Sequence, residues 1–154
     1  MSDIPLYSWD STVFIAWISE EPGAPLKDIE SVVVEIDNKK ANLVVSVLAY
    51  SEILEVKHTP EQMIKFREFL KRSNVVVADN TVAIAEKAGE IRSRGFAEKG
   101  KKKRKIKTPD ATFLATTIIY KAAVLHSLDP DLLHLNQSPM VEGLRITKPI
   151  PLGA

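Results

Sequence analysis

Short apolar, β-branched runs alternate along this chain with stretches of helical periodicity, and that alternation admits few folds. The runs fall at residues 6–9, 43–46, 75–78, 124–127 and 144–147. Between them come an apolar helical turn at 13–18, a Pro/Gly loop at 20–25, and helical patterns at 26–40, 47–56, 59–72, 81–96 and 108–121. In the 26–40 stretch Leu26, Ile29, Val32, Val33 and Ile36 recur at helical spacing, despite three consecutive valines. Strands separated by helices need crossover connections, so the pattern predicts a three-layer α/β/α fold with a central, mainly parallel sheet of about five strands. A chain of 154 residues fits one such domain and leaves no room for a second sizeable core, so 1–154 is read as a single unit.

Helix starts are marked chemically. Thr59-Pro60-Glu61-Gln62 offers a threonine N-cap, a proline at the first helical position and a glutamine placed for a capping box. Thr108-Pro109-Asp110 repeats the threonine–proline signal. Asn80 is the expected cap of the helix at 81–96, which would turn Val82, Ala85, Ala88 and Ile91 inward.

The absence of cysteine excludes disulfides, thiolate zinc sites and thiol catalysis. The first residues lack the basic-then-apolar pattern of a signal peptide, and no apolar run approaches a membrane span. These features predict a soluble, cytoplasmic protein with no membrane partner. Net charge is only +1, yet seven of the 21 basic residues lie between Lys99 and Lys107, leaving 14 basic against 20 acidic residues elsewhere. A mildly acidic body with one basic loop, at 97–107, suggests a local anion contact.

In an open parallel sheet, ligands bind beyond the carboxyl ends of the strands. Asp10 directly follows the first strand, Glu52 lies six residues past Ser46, Asp110 stands in the first turn of its helix, and Asp129 and Asp131 follow the fourth strand. Separate segments thus aim carboxylates at one rim. Singly, each acid has a plainer role: Asp10 as an N-cap, Asp129-Pro130-Asp131 as a turn, Asp110 as a partner of the helix dipole, Glu52 as a solvent-facing residue. Jointly they predict a cation site, because like charges persist together only where something offsets their repulsion. Hard oxygen donors select Mg²⁺ or Mn²⁺, which suits phosphodiester hydrolysis.

Four blocks carry a family resemblance: Trp9-Asp10-Ser11-Thr12-Val13-Phe14-Ile15, Ser46-Val47-Leu48-Ala49-Tyr50-Ser51-Glu52, Asp110-Ala111-Thr112-Phe113-Leu114-Ala115-Thr116, and Leu125-His126-Ser127-Leu128-Asp129-Pro130-Asp131-Leu132. In this order they resemble the PIN-domain family over residues 6–132, and by size the VapC-type toxins of toxin–antitoxin pairs. The resemblance implies a Mg²⁺- or Mn²⁺-dependent endoribonuclease, commonly a homodimer, held by a small antitoxin. It assigns Asp10, Glu52, Asp110 and Asp129 as catalytic, with Asp10, Asp110 and Asp129 on the metal. Asp131 becomes an auxiliary acid, and Thr12 and Thr116 supply hydroxyls. The segment 19–42 is longer than in compact members, the basic run is denser, and the stretch after Leu132 matches nothing specific.

Lys101, Lys102, Lys103, Arg104 and Lys105 are read as an RNA-contacting loop, since they precede Asp110 so closely. No aromatic residue is interleaved with them, so base stacking is not expected there; Trp9 and Trp17 are read as core. His58, His126 and His134 show no metal spacing and are taken as structural or surface residues. The chain has no Gly-rich phosphate loop, nucleophile elbow or paired-histidine zinc motif. Two other readings remain. One is a PIN-like module that binds RNA or protein without cutting. The other is a phosphoacceptor receiver domain, suggested by Asp79 after the third strand and by Thr147-Lys148-Pro149. A receiver needs adjacent acids after its first strand, where this chain has Asp10-Ser11-Thr12.

Overall fold

The computed structural model describes residues 3–97 and 106–152. The elements run β1 (Leu6–Trp9), α1 (Ser11–Ser19), α2 (Leu26–Asp37), β2 (Asn42–Ser46), α3 (Leu48–Glu55), α4 (Pro60–Leu70), β3 (Val75–Ala78), α5 (Val82–Ala97), α6 (Thr108–Ile119), β4 (Val124–His126), α7 (Pro130–Leu133), a 3₁₀ turn (Pro139–Val141) and β5 (Ile146–Thr147). The five strands form one sheet in the order β3-β2-β1-β4-β5, and every neighbouring pair is parallel. The mainly parallel α/β/α arrangement expected from the alternation is therefore what forms.

Strand alternation sorts the side chains between two helical layers. Tyr7, Trp9, Leu43, Val45 and Val124 join Phe14, Phe66 and Phe69 in one core, beneath α1 to α4. Leu125 and Ile146 join Ile84, Ile91 and Leu114 in a second core, beneath α5 and α6. The first core is knit by ring edges: Trp9 meets Phe14 at 5.0 Å between centroids, and Phe14 meets Phe66 at 5.5 Å. Trp9 and Trp17 are both buried, as expected of core residues. Truncating Phe66 to alanine would cost about 3–5 kcal/mol, the usual loss for an aromatic in such a setting.

The Thr59 capping box forms as read: Thr59 Oγ1 accepts from Gln62 N at 3.1 Å, and Gln62 Oε1 accepts from Thr59 N at 2.8 Å. Elsewhere the local reading needs correction. Helix α6 already includes Thr108, and its N-cap is Lys107, which provides no side-chain cap. Ile84 N donates to Thr81 Oγ1 at 3.2 Å, so Thr81 and not Asn80 supports the start of α5. Val82 and Ala85 of α5 are exposed, while Ile84, Ala88 and Ile91 are buried. The inward spacing is thus four then three, which stays on one face of a 3.6-residue helix, whereas three throughout drifts around it. Helix α2 stops at Asp37, and Lys39 takes a left-handed φ of 58°. The fifth strand is only Ile146–Thr147, because Leu144 is drawn back into a turn by its N–H bond to Val141 O.

Candidate active site

The strand order puts β1 at the centre, with β2 and β3 added on one side and β4 and β5 on the other. Consecutive connections diverge between β1 and β4, which opens a crevice beyond their carboxyl ends. Asp10 leaves β1 there, and Ser127, Leu128 and Asp129 leave β4 beside it.

Asp10 is 2% exposed, yet its carboxylate is densely supplied with donors. Oδ1 accepts from Thr12 N at 3.0 Å, Thr12 Oγ1 at 2.5 Å and Val13 N at 3.4 Å, and so caps α1; Oδ2 accepts from Ser127 Oγ at 2.5 Å. Burial pushes the Asp10 carboxyl up to about 6, even though all of these hydrogen bonds pull the other way. Two further bonds close the crevice. Thr12 Oγ1 accepts from Leu128 N at 2.9 Å, and Ser127 Oγ accepts from Asp129 N at 3.0 Å.

The other acids are positioned by their own segments. Glu52, on α3, accepts from Ser11 Oγ at 2.7 Å, which ties it to the residue next to Asp10. Asp129 caps α7, its Oδ1 accepting from Asp131 N at 2.9 Å. Asp110 rides on α6, whose residues 111–117 are all buried, and this helix is pinned to β1 by a hydrogen bond of 2.8 Å between the Thr117 and Ser8 hydroxyls. The Asp110 carboxyl is raised to about 6, first by burial and then by repulsion from Asp129, Glu52 and Asp131, against a downward pull from Lys107. The plain capping roles weighed for Asp10 and Asp129 are therefore real, and they coexist with the repulsion that Asp129, Glu52 and Asp131 exert on the Asp110 carboxyl.

Carboxylate oxygens are the hard donors that Mg²⁺ or Mn²⁺ prefers, and the repulsion acting on Asp110 is of the kind that a cation relieves. In donor chemistry these acids fit such an ion. Among the described residues, however, no three His, Cys, Asp or Glu side chains are gathered closely enough to hold one.

Thr12 Oγ1 is bonded to Asp10 Oδ1, whereas Thr116 Oγ1 donates to Thr112 O at 2.8 Å within its own helix. Lys101, Lys102, Lys103, Arg104 and Lys105, the loop read as an RNA contact, lie outside the described residues. His126 is buried and neutral, its pKa pushed down to about 3 by burial, and its Nδ1 accepts from Trp9 Nε1 at 3.1 Å. Sequence reasoning gave no role to Ser11 and Ser127. The signal available for Ser127 was a hydroxyl at a strand end, two residues before an acid, where it can accept that acid's backbone N–H. Likewise Asp129-Pro130 and Ser138-Pro139 are cap-then-proline signals: the first starts α7 within the fourth block, and the second starts the 3₁₀ turn in the stretch that matched no pattern.

The PIN domain family matches residues 7–137. The chain belongs to that family. Among solved structures it resembles VapBC2 from Rickettsia felis, bound there to a DNA fragment from their promoter, at 17% identity and TM-score 0.63, over 92% of this chain and 96% of that one. It also resembles FitAcB from Neisseria gonorrhoeae at 15% identity and TM-score 0.59, over 93% and 97% of the two chains. A third likeness is FitAB bound to an IR36 DNA fragment, at 12% identity and TM-score 0.62, over 95% and 96%. No curated protein matches the chain by sequence. At these identities the structures speak for a shared fold. PIN membership sets aside the receiver reading, and so does topology: the order here is 3-2-1-4-5, where receivers follow 2-1-3-4-5.

Proposed function

We propose that this PIN domain is a divalent-metal-dependent endoribonuclease, the toxin of a toxin–antitoxin pair. The observation that carries the reading is the place of Asp110: a half-buried carboxyl beside the β1–β4 crevice, raised to about 6 first by burial and then by the neighbouring Asp129, Glu52 and Asp131. A perturbed acid among acids in a cleft marks chemistry more often than stability. Asp10, Asp110 and Asp129 would hold Mg²⁺ or Mn²⁺, with Glu52 orienting water. When bound, such an ion supplies a water of lowered pKa and offsets charge on the departing oxygen.

The chain's own residues do the positioning. Four donors fix the Asp10 carboxylate, so it has no rotamer freedom to lose when substrate arrives. Ser11 holds Glu52, and the Asp131 N–H holds Asp129. Asp131 and Thr12 act as auxiliaries, and the loop of Lys101, Lys102, Lys103, Arg104 and Lys105 would track the RNA backbone. Likeness to VapBC2 and FitAB supports a small antitoxin as partner, and the PIN family resemblance implies a homodimer in the cytoplasm.

The looser spacing of the acids favours one rival, a PIN module that binds without cutting. Incubating the protein with total cellular RNA and Mn²⁺ or Mg²⁺, with EDTA and Asp110→Asn controls, tests the proposal. Discrete cuts lost in both controls support a nuclease. Absence of cutting together with no Mn²⁺ binding in a direct titration supports the silent module.

A further inference from the structure

Beside Asp110 lies a cavity of about 280 Å³ whose lining changes character from floor to rim. The floor is apolar, formed by the buried side chains of Ile106, Leu132 and Leu135. Around the rim stand Lys107, Asp110, Asp131 and His134. We propose that this cavity holds one base of the RNA strand, next to the bond being cut, and that Asp131 makes guanine the preferred base. The inference rests on the nuclease reading and names the part of the substrate that the site recognises.

Position argues for it first. Asp110 belongs both to the acids and to this wall, so an occupant sits within a nucleotide's reach of the reacting phosphate. Size and shape agree. The volume lies near the lower end of ligand pockets, roughly 300 Å³ and upward, which suits one flat ring system and little more. An aliphatic floor accepts the face of a base, and the exposed imidazole of His134 offers a stacking edge of the kind that single-stranded RNA uses. Lys107, exposed at the rim, supplies the charge for that nucleotide's own phosphate.

Preference among bases comes from Asp131. Its backbone N–H is spent on Asp129 Oδ1 at 2.9 Å, which sets where the side chain stands. Among the described residues no hydrogen bond or salt bridge engages its exposed carboxylate. An ionised carboxylate only accepts, and it accepts best from two parallel N–H groups. Guanine presents such a fork with N1–H and its 2-amino group. Adenine, cytosine and uracil each offer a single N–H-bearing group with at least one acceptor beside it, which a carboxylate repels.

The test is a ¹⁵N-resolved NMR titration of the whole chain, in metal-free buffer, with the four nucleoside 5′-monophosphates and with ribose 5-phosphate. Guanosine monophosphate should shift the amides of Lys107, Asp131, Leu132 and His134, and bind about tenfold tighter than the other three. Asp131→Asn should bring it down to their level, and His134→Ala should weaken all four alike. Equal binding of the four, the same shifts with ribose 5-phosphate, or no shifts at these amides would overturn the proposal. A pocket made for a partner protein's side chain gives that last result. Cleavage of total RNA and its loss in Asp110→Asn are read separately, so failure of the base pocket and failure of the nuclease reading are distinct results.

Discussion

Ser127 Oγ donates to Asp10 Oδ2 at 2.5 Å, joining residues 117 positions apart across the crevice between β1 and β4. The same hydroxyl accepts from Asp129 N, so one serine orients two of the acids. The bond works against the burial that raises the Asp10 carboxyl to about 6. Without it, the ionised form would be more costly still.

Ser127→Ala is therefore expected to destabilise the fold by about 1–3 kcal/mol at pH 8, where Asp10 is ionised and loses a charge-assisted bond. At pH 5 the carboxyl holds its proton and the loss should shrink. Urea unfolding at both values measures the difference. An equal loss at the two pH values would mean that the serine acts by packing alone.

Asp10 also sets a pH dependence for the unsubstituted chain. Its folded pKa, about 6, lies above the ordinary value of 3.8, so the folded state holds the extra proton between them. Stability from this group is fully present below about pH 4 and is lost as pH rises through 6. Asp10→Asn removes the titration. In EDTA the variant should lose less stability than the parent across that window, keeping only the share that the raised Asp110 carboxyl contributes, and at pH 8 it should exceed the parent by up to about 2–3 kcal/mol, less whatever the amide forfeits in hydrogen bonds. Thermal melts at pH 4, 6 and 8 would show it. A variant less stable than the parent at pH 8 is the outcome that sinks the account.

Legibility in the sequence followed the range of the interactions. The sheet and helices could be read because their signals are local: β-branched runs, helical spacing, and the Thr59–Gln62 pair, in which each residue answers the other. Thr108 looked equivalent, but the residue three further on is Ala111, which cannot reciprocate, and the helix starts earlier. The acids were legible as residues, since each stands just past a strand or in a helix's first turns. Their supports were not. Which strand neighbours β1 depends on the whole chain's path, so nothing near Asp10 announces Ser127, and nothing near β1 announces Thr117. The cavity was hidden for the same reason, because Ile106 and Leu135 meet only after α6 and α7 have packed.

The buried Ser8–Thr117 bond holds the Asp110 helix to the central strand. Thr117→Val would leave the Ser8 hydroxyl without its partner and should cost about 1–2 kcal/mol, whereas adding Ser8→Ala removes the stranded group. The double variant should therefore lose less than the sum of the two single ones. Urea unfolding of all four proteins closes the cycle. Strict additivity would show that the two hydroxyls do not support each other.

Asp110 gives the last prediction, because its carboxyl is raised by burial and by neighbouring acids, whose repulsion a cation would offset. Mn²⁺ should raise the melting temperature of the parent chain by several degrees at concentrations well above its dissociation constant, since it binds the folded state alone. Asp110→Asn removes one donor and also much of the repulsion. Its melting temperature without metal should match or exceed the parent's, its response to Mn²⁺ should largely vanish, and RNA cleavage should fall by at least about 100-fold. Melting curves with Mn²⁺ or EDTA, beside cleavage of total RNA, separate the alternatives. A variant that unfolds early would make Asp110 a structural residue. One that keeps its fold and its Mn²⁺ response would move the metal to other acids.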